Sequence, residues 1–194
     1  LFSSSGGGGV AGGSGGGGGL SEAQLKCTPL IGTPAYTECV NAVQAGKDIK
    51  EFQKSYLIKI IDLDLGFQNQ LFGAKQATLT VLNQSFDVLK QLEACQKFPH
   101  PDTVKIQSNI KIITDQIAKI QSDIIALQFK QQQIKAITDL TQIPSLFAQV
   151  AGVVNPAFTQ SLALAAQQET SQKQQDMSFY QQQLSLCQQR QPQP

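Results

Sequence analysis

Beyond residue 20, the apolar side chains of this 194-residue chain recur at intervals of three and four, the period of helices that bury one face. Ser21-x-x-Gln24 has the form of a capping box and opens a short helix. Thr33 before Pro34 reads as an N-cap with proline in the first turn, and Gly46 stands where a glycine ends that helix. Asp48 caps the next, whose face is Ile49, Phe52, Tyr56, Ile60, Leu63 and Phe67. Gly66 breaks or bends it. Phe72, Leu79, Leu82, Phe86 and Leu89 carry the series on to a stop near Phe98, because Pro99-His100-Pro101 cannot extend a helix.

The clearest pattern begins at Asp102. Ile106, Ile110, Ile113, Ile117, Ile120, Ile124, Leu127 and Ile134 follow a heptad spacing, with Gln131 in one seam position. This predicts a helix over 102–142, roughly 60 Å long at 1.5 Å per residue, whose isoleucine seam serves assembly. Residues 143–155 read as a buried turn broken by Pro144 and Gly152. Asn155 then caps a last helix over 156–190, with a thin apolar face of Phe158, Leu162, Ala165 or Ala166, Met177, Tyr180, Leu184 and Cys187. Its polar middle, Gln167 to Asp176, is expected to be its most exposed stretch. Residues 143–166 are too interrupted for a membrane span, which needs about 20 mostly apolar residues; contact of this region with a membrane or subunit is the minor reading.

Composition separates two materials. Eleven of the 16 glycines fall in the first 19 residues, whereas 31 glutamines are spread through the rest. The expected class is therefore all-α: an elongated antiparallel helical bundle with long coiled-coil-like helices over 21–190, a Gly-rich arm over 1–20, and a tail over 191–194. The arm matches GxGxxG only because any polyglycine does, and no strand precedes it. Its few apolar side chains, Leu1, Phe2 and Val10, are the candidate contacts to a neighbouring subunit.

Charged residues make up 15% of the chain and the net charge is +1. That balance argues against nucleic-acid binding, which needs a basic surface. It also leaves little repulsion between copies. Glutamine carries donor and acceptor without the desolvation cost of a charge, so such faces suit packing against one another as well as plain solubility.

The chain opens at Leu1 without a signal-like segment, which reads as a processed protein. Four cysteines without a CxxC pair fit two disulfides better than zinc, hence a secreted, cell-surface or periplasmic setting. Three connectivities are possible. Antiparallel packing of the last two long helices brings Cys187 back towards Cys95, which selects Cys95–Cys187 and leaves Cys27–Cys39. Asn83-Gln84-Ser85 has the form of a glycosylation sequon but lies inside a helical pattern.

Candidate chemistry is sparse. His100 reads as a loop residue between prolines, and Asp62 and Asp64 as solvated carboxylates at a helix end. No HExxH, EF-hand or phosphate-loop motif is present, so no metal, cofactor or catalytic residue is expected. In composition and helical organisation the chain resembles the minor pilins of type IV secretion systems, which implies a pilus-associated subunit. Three roles follow: a structural subunit of an extracellular filament, pilus or surface layer, forming a homo-oligomer; a secreted bundle binding a lipid, surface or small apolar ligand, with Phe52, Phe67, Phe72 and Phe86 lining a cavity; and a periplasmic secretion or conjugation component. The first is the expectation.

Overall fold

A computed structural model describes residues 21–190, so the arm with Leu1, Phe2 and Val10 and the tail at 191–194 lie outside the described residues. The described chain is helical, without strands, and divides into two compact units, one ending at Ile49 and one beginning at Lys50.

The first unit is small and disulfide-stapled. Helix α1, Glu22–Lys26, starts from the capping box: Gln24 N–H donates to Ser21 Oγ at 3.2 Å, and Ser21 N–H donates to Gln24 Oε1 at 2.9 Å. A 3-10 turn over Thr28–Leu30 leads to helix α2, Ala35–Gln44. Thr33 does not cap α2. Its hydroxyl instead donates to the Leu30 carbonyl at 2.7 Å, and Pro34 itself takes the N-cap position. Gly46 ends α2 at φ +87°, with Gly46 N–H on Val43 O and Lys47 N–H on Ala42 O, a geometry that a side chain at Gly46 would strain. The Cys27–Cys39 disulfide, with Cα atoms 5.9 Å apart, joins the end of α1 to α2, and both cysteines are fully buried.

The second unit is built on three long helices. Helix α3 runs unbroken over Ile49–Gln96, about 72 Å at 1.5 Å per residue. Gly66 therefore does not break it, since the helix tolerates single glycines at a modest cost. Lys97, at φ +67°, stops α3 just before the proline turn. Helix α4 covers Asp102–Lys135, seven residues short of the predicted end. Asp139 accounts for the early stop. Its carboxylate takes the Thr141 N–H at 3.1 Å and the Thr141 hydroxyl at 2.7 Å, which starts a new 3-10 turn instead of prolonging α4. The segment read as a turn is helix α5, Ile143–Ala151, which buries Ile143, Phe147 and Val150. Helix α6, Pro156–Arg190, begins where Asn155 Oδ1 accepts the Phe158 N–H at 3.1 Å.

Contacts fix the topology. Asp64 meets Thr159, Lys75 meets Glu169 and Cys95 meets Cys187, so α6 runs parallel to α3. Gln131 meets Asp62, and Tyr180 meets Asp102, so α4 runs antiparallel to both. Helix α5 packs on the early turns of α3, where the Tyr56 and Phe147 rings lie 5.9 Å apart.

Candidate functional site

All eight predicted seam residues of α4 face inward. Ile106, Ile113, Ile120 and Ile134 are buried and Ile110, Ile117, Ile124 and Leu127 half-buried. One cluster joins Leu82, Leu89 and Leu92 of α3 to Ile106 and Ile113 of α4 and Tyr180 of α6. A second joins Leu71, Ile120, Ala163 and Ala166. The isoleucine seam is thus occupied by α3 and α6 of the same chain. Self-assembly through that seam would require opening the bundle.

The other two long helices follow the same heptad with different residues. In α3 the inward positions are Leu57, Ile61, Asp64, Gln68, Leu71, Lys75, Thr78, Leu82, Ser85, Leu89 and Leu92. In α6 they are Thr159, Ala163, Ala166, Thr170, Lys173, Met177, Tyr180, Leu184 and Cys187. Hydropathy misplaces the faces here. Phe158, Leu162 and Leu63, expected inward, are exposed at 60%, 40% and 48%, because smaller or polar residues take the seam beside them. The signal was present in spacing alone: the 4-3 rhythm of Cys187, Leu184, Tyr180 and Met177, counted backwards, reaches Thr170, Ala166, Ala163 and Thr159.

The polar seam residues pair across the bundle and set its register. Thr159 Oγ1 donates to Asp64 Oδ1 at 2.5 Å, and Asp64 is only 4% exposed. The Thr78 and Thr170 hydroxyls meet at 2.7 Å over the Ala74 carbonyl. Gln131 Nε2 donates to Ile58 O at 3.1 Å and to Asp62 Oδ1 at 2.5 Å. Asp62 and Asp64 therefore stand mid-helix rather than at a helix end: Asp64 is buried in the seam, whereas Asp62 is exposed to solvent and accepts from Gln131 at its edge. Sliding α6 by one turn would leave Asp64 buried without its donor, a cost that a purely apolar seam would not impose.

At the end where α3 turns into α4, the chain is tied covalently and by a polar knot. Cys95 and Cys187 are bonded, with Cα atoms 6.3 Å apart. His100 N–H donates to Glu93 Oε2 at 3.1 Å, and Asp102 N–H donates to His100 Nδ1 at 3.0 Å. Tyr180 O–H donates to Asp102 Oδ2 at 2.9 Å, and its ring meets the His100 ring edge-on at 5.6 Å. The His100 N–H, together with the Lys90 charge, holds the Glu93 carboxyl below the usual carboxylate range. Burial, reinforced by Asp102, pushes the Tyr180 hydroxyl well above its ordinary value, so it stays a donor. His100, read as a loop residue, is thus a structural member of this turn.

The opposite end is different. Val153, Phe129, Phe158 and Ile125 are exposed there at 81%, 65%, 60% and 60%. Ile125 and Phe129 lie one turn apart on the face of α4 turned away from the seam, a face that also carries Val104. Between α3, α4 and α5 lies a groove of about 500 Å³, lined by Asp64, Asp123, Leu127, Lys130, Val150 and Val153 among others. Phe72 and Phe86, expected to line a cavity, pack against the bundle clusters instead, and Phe52 stacks on Tyr56 at 5.9 Å.

Among the described residues no group of three His, Cys, Asp or Glu side chains is placed to hold a metal ion, and no helix is long and apolar enough to cross a membrane. Two disulfides fit an oxidising compartment. The features of the end opposite the polar knot are the exposed apolar pair Ile125 and Phe129 and the groove between α3, α4 and α5. Compared with protein-family models, curated proteins and solved structures, the chain matches none of them.

Proposed function

We propose that this protein is a non-enzymatic structural subunit of an extracellular or cell-surface assembly, joined to its neighbours side by side through the outer faces of its long helices. The observation that supports this is the apolar surface left over once the seams are filled. Val104, Ile125 and Phe129 of α4 and Phe158, Leu162 and Leu164 of α6 are exposed although α3, α4 and α6 already satisfy one another. Scattered apolar residues on a surface are ordinary, but here they stand on a surface with 15% charged residues and a net charge of +1, where copies repel one another little. In this reading the 1–20 arm, with Leu1, Phe2 and Val10, reaches a neighbouring subunit, and the disulfides keep the subunit intact outside the cell.

Sedimentation velocity over a range of concentrations, followed by electron microscopy, tests the reading. The full chain is expected to form concentration-dependent assemblies, and the Ile125→Lys, Phe129→Lys double variant to stay monomeric by sedimentation and folded by far-UV circular dichroism. A full chain that is monodisperse and monomeric at every concentration would overturn the proposal. Deleting residues 1–19 tests the arm separately: assemblies that form normally without it would remove the arm from the account.

A further inference from the structure

The groove between α3, α4 and α5 has a chemistry of its own. Its walls are aliphatic, from Leu127 on α4, Val150 at the end of α5, and Val153 just beyond. Asp64 is set among them, 4% exposed, with Thr159 Oγ1 donating to its Oδ1. One hydroxyl satisfies only part of the hydrogen-bonding capacity of a carboxylate, which can accept about four bonds. Asp123 brings a second carboxylate to the groove, and among its described lining residues Lys130 is the one cation. The volume, about 500 Å³, is that of a small-molecule site.

We infer that this groove binds a small organic cation, a primary or secondary amine carrying a short aliphatic or aromatic body. Three features select that class. Valine and leucine walls favour an apolar body. An ammonium supplies up to three donors where Asp64 and Asp123 supply acceptors. A carboxylate or phosphate ligand would instead place its charge against two acids with a single lysine to offset them. The site lies at the end of the bundle without the long-range disulfide, where the connection from α4 to α6 runs through α5, so occupancy would tie α5 to α3 and α4.

The test titrates the full chain, labelled with nitrogen-15, with three probes of matched chain length: hexylammonium, hexanoate and hexanol. Amide shifts are read at Val150, Val153 and Val154, which line the groove. Hexylammonium is expected to move these amides saturably, with hexanoate and hexanol at least about tenfold weaker. Asp123→Asn, at an exposed position that leaves the fold intact, is expected to weaken hexylammonium by about tenfold, and Lys130→Ala to tighten it by about threefold. Hexanol or hexanoate binding within about twofold of hexylammonium would overturn the proposal by showing that only apolar burial is at work. So would an unchanged affinity in Asp123→Asn, or groove amides that stay in place when hexylammonium reaches about 50 mM. None of these readouts depends on self-assembly.

Discussion

Where α3 turns into α4, the bundle is closed by a disulfide, a proline turn, and a chain of hydrogen bonds through Glu93, His100, Asp102 and Tyr180. At its other end α5 lies over the first turns of α3, Lys54 Nζ donates to Ile137 O at 2.6 Å, and aliphatic and aromatic side chains stand in solvent around a groove. Both ends belong to one set of heptads. The difference is in what closes them: covalent and polar bonds on one side, apolar contact and a few long-range hydrogen bonds on the other. The covalent and polar end fixes the register of the three helices, so the apolar end is where the proposed contacts to a partner or ligand fall.

The largest expected effect comes from opening the covalent end. The Cys95–Cys187 bond spans 92 residues of sequence. Replacing both cysteines by alanine should cost about 4 kcal/mol of stability, read from urea denaturation. Native-state hydrogen exchange should then show the last turns of α6 losing protection before α5 does. If α5 still opens first and the last turns of α6 keep their protection, the polar knot, not the disulfide, is what holds that end.

Next is the buried pair near the open end. Asp64→Ala leaves the Thr159 hydroxyl with the Asn155 carbonyl, 3.2 Å away on its own helix, and should cost about 1–2 kcal/mol, whereas Thr159→Val leaves a buried carboxylate without its donor and should cost about 2–4 kcal/mol. The double variant Asp64→Leu, Thr159→Val should recover most of that loss, because an apolar pair needs no partner. Strictly additive losses in the cycle would mean that the contact does not link the two helices.

How far these features are legible in the sequence depends on which residues carry the seam. Helix α4 uses isoleucine at nearly every inward position, so its face, its heptad and its start at Asp102 follow from spacing, and with them the antiparallel return that brings Cys187 to Cys95. Helix α6 reverses the usual sign. Close approach to α3 admits only Thr159, Ala163, Ala166 and Thr170, and the larger Phe158 and Leu162 are left outside, where hydropathy would not place them. The groove was illegible for another reason. Asp64 and Asp123 lie on different helices, and only the early end of α4 at Lys135 and the folding of 143–151 into α5 bring Val150 and Val153 beside them.

A smaller effect of opposite sign tests whether the open end gains from being pliable. Gly66 and Gly73 lie inside α3, and a methyl group at either meets nothing within 4 Å. Each alanine substitution should therefore raise stability by about 1 kcal/mol, through the lower backbone entropy of the unfolded chain. If the open half of the bundle must adjust on contact, the stiffened double variant should also assemble more slowly at equal concentration. Unchanged assembly kinetics would indicate docking of rigid surfaces.

The finest distinction between the ends is in acid. Each end has one carboxyl held below its ordinary value by local donors: Glu93 chiefly by the His100 N–H, and Asp139 chiefly by the Thr141 hydroxyl and then the Thr141 N–H. In both, the folded value lies below the unfolded one, 4.5 for the glutamate and 3.8 for the aspartate. Each therefore stabilises the fold fully above its unfolded value and loses that contribution as the pH falls through the folded value. Thermal melts across the acid range should show wild-type stability declining first below about pH 4.5. Glu93→Gln should flatten the upper part of that decline and Asp139→Asn the lower part. The bonds at Glu93 close the turn into α4, whereas those at Asp139 shape only the start of a loop. Glu93→Gln should therefore also raise hydrogen exchange at His100, while Asp139→Asn leaves the disulfide-tied end unchanged.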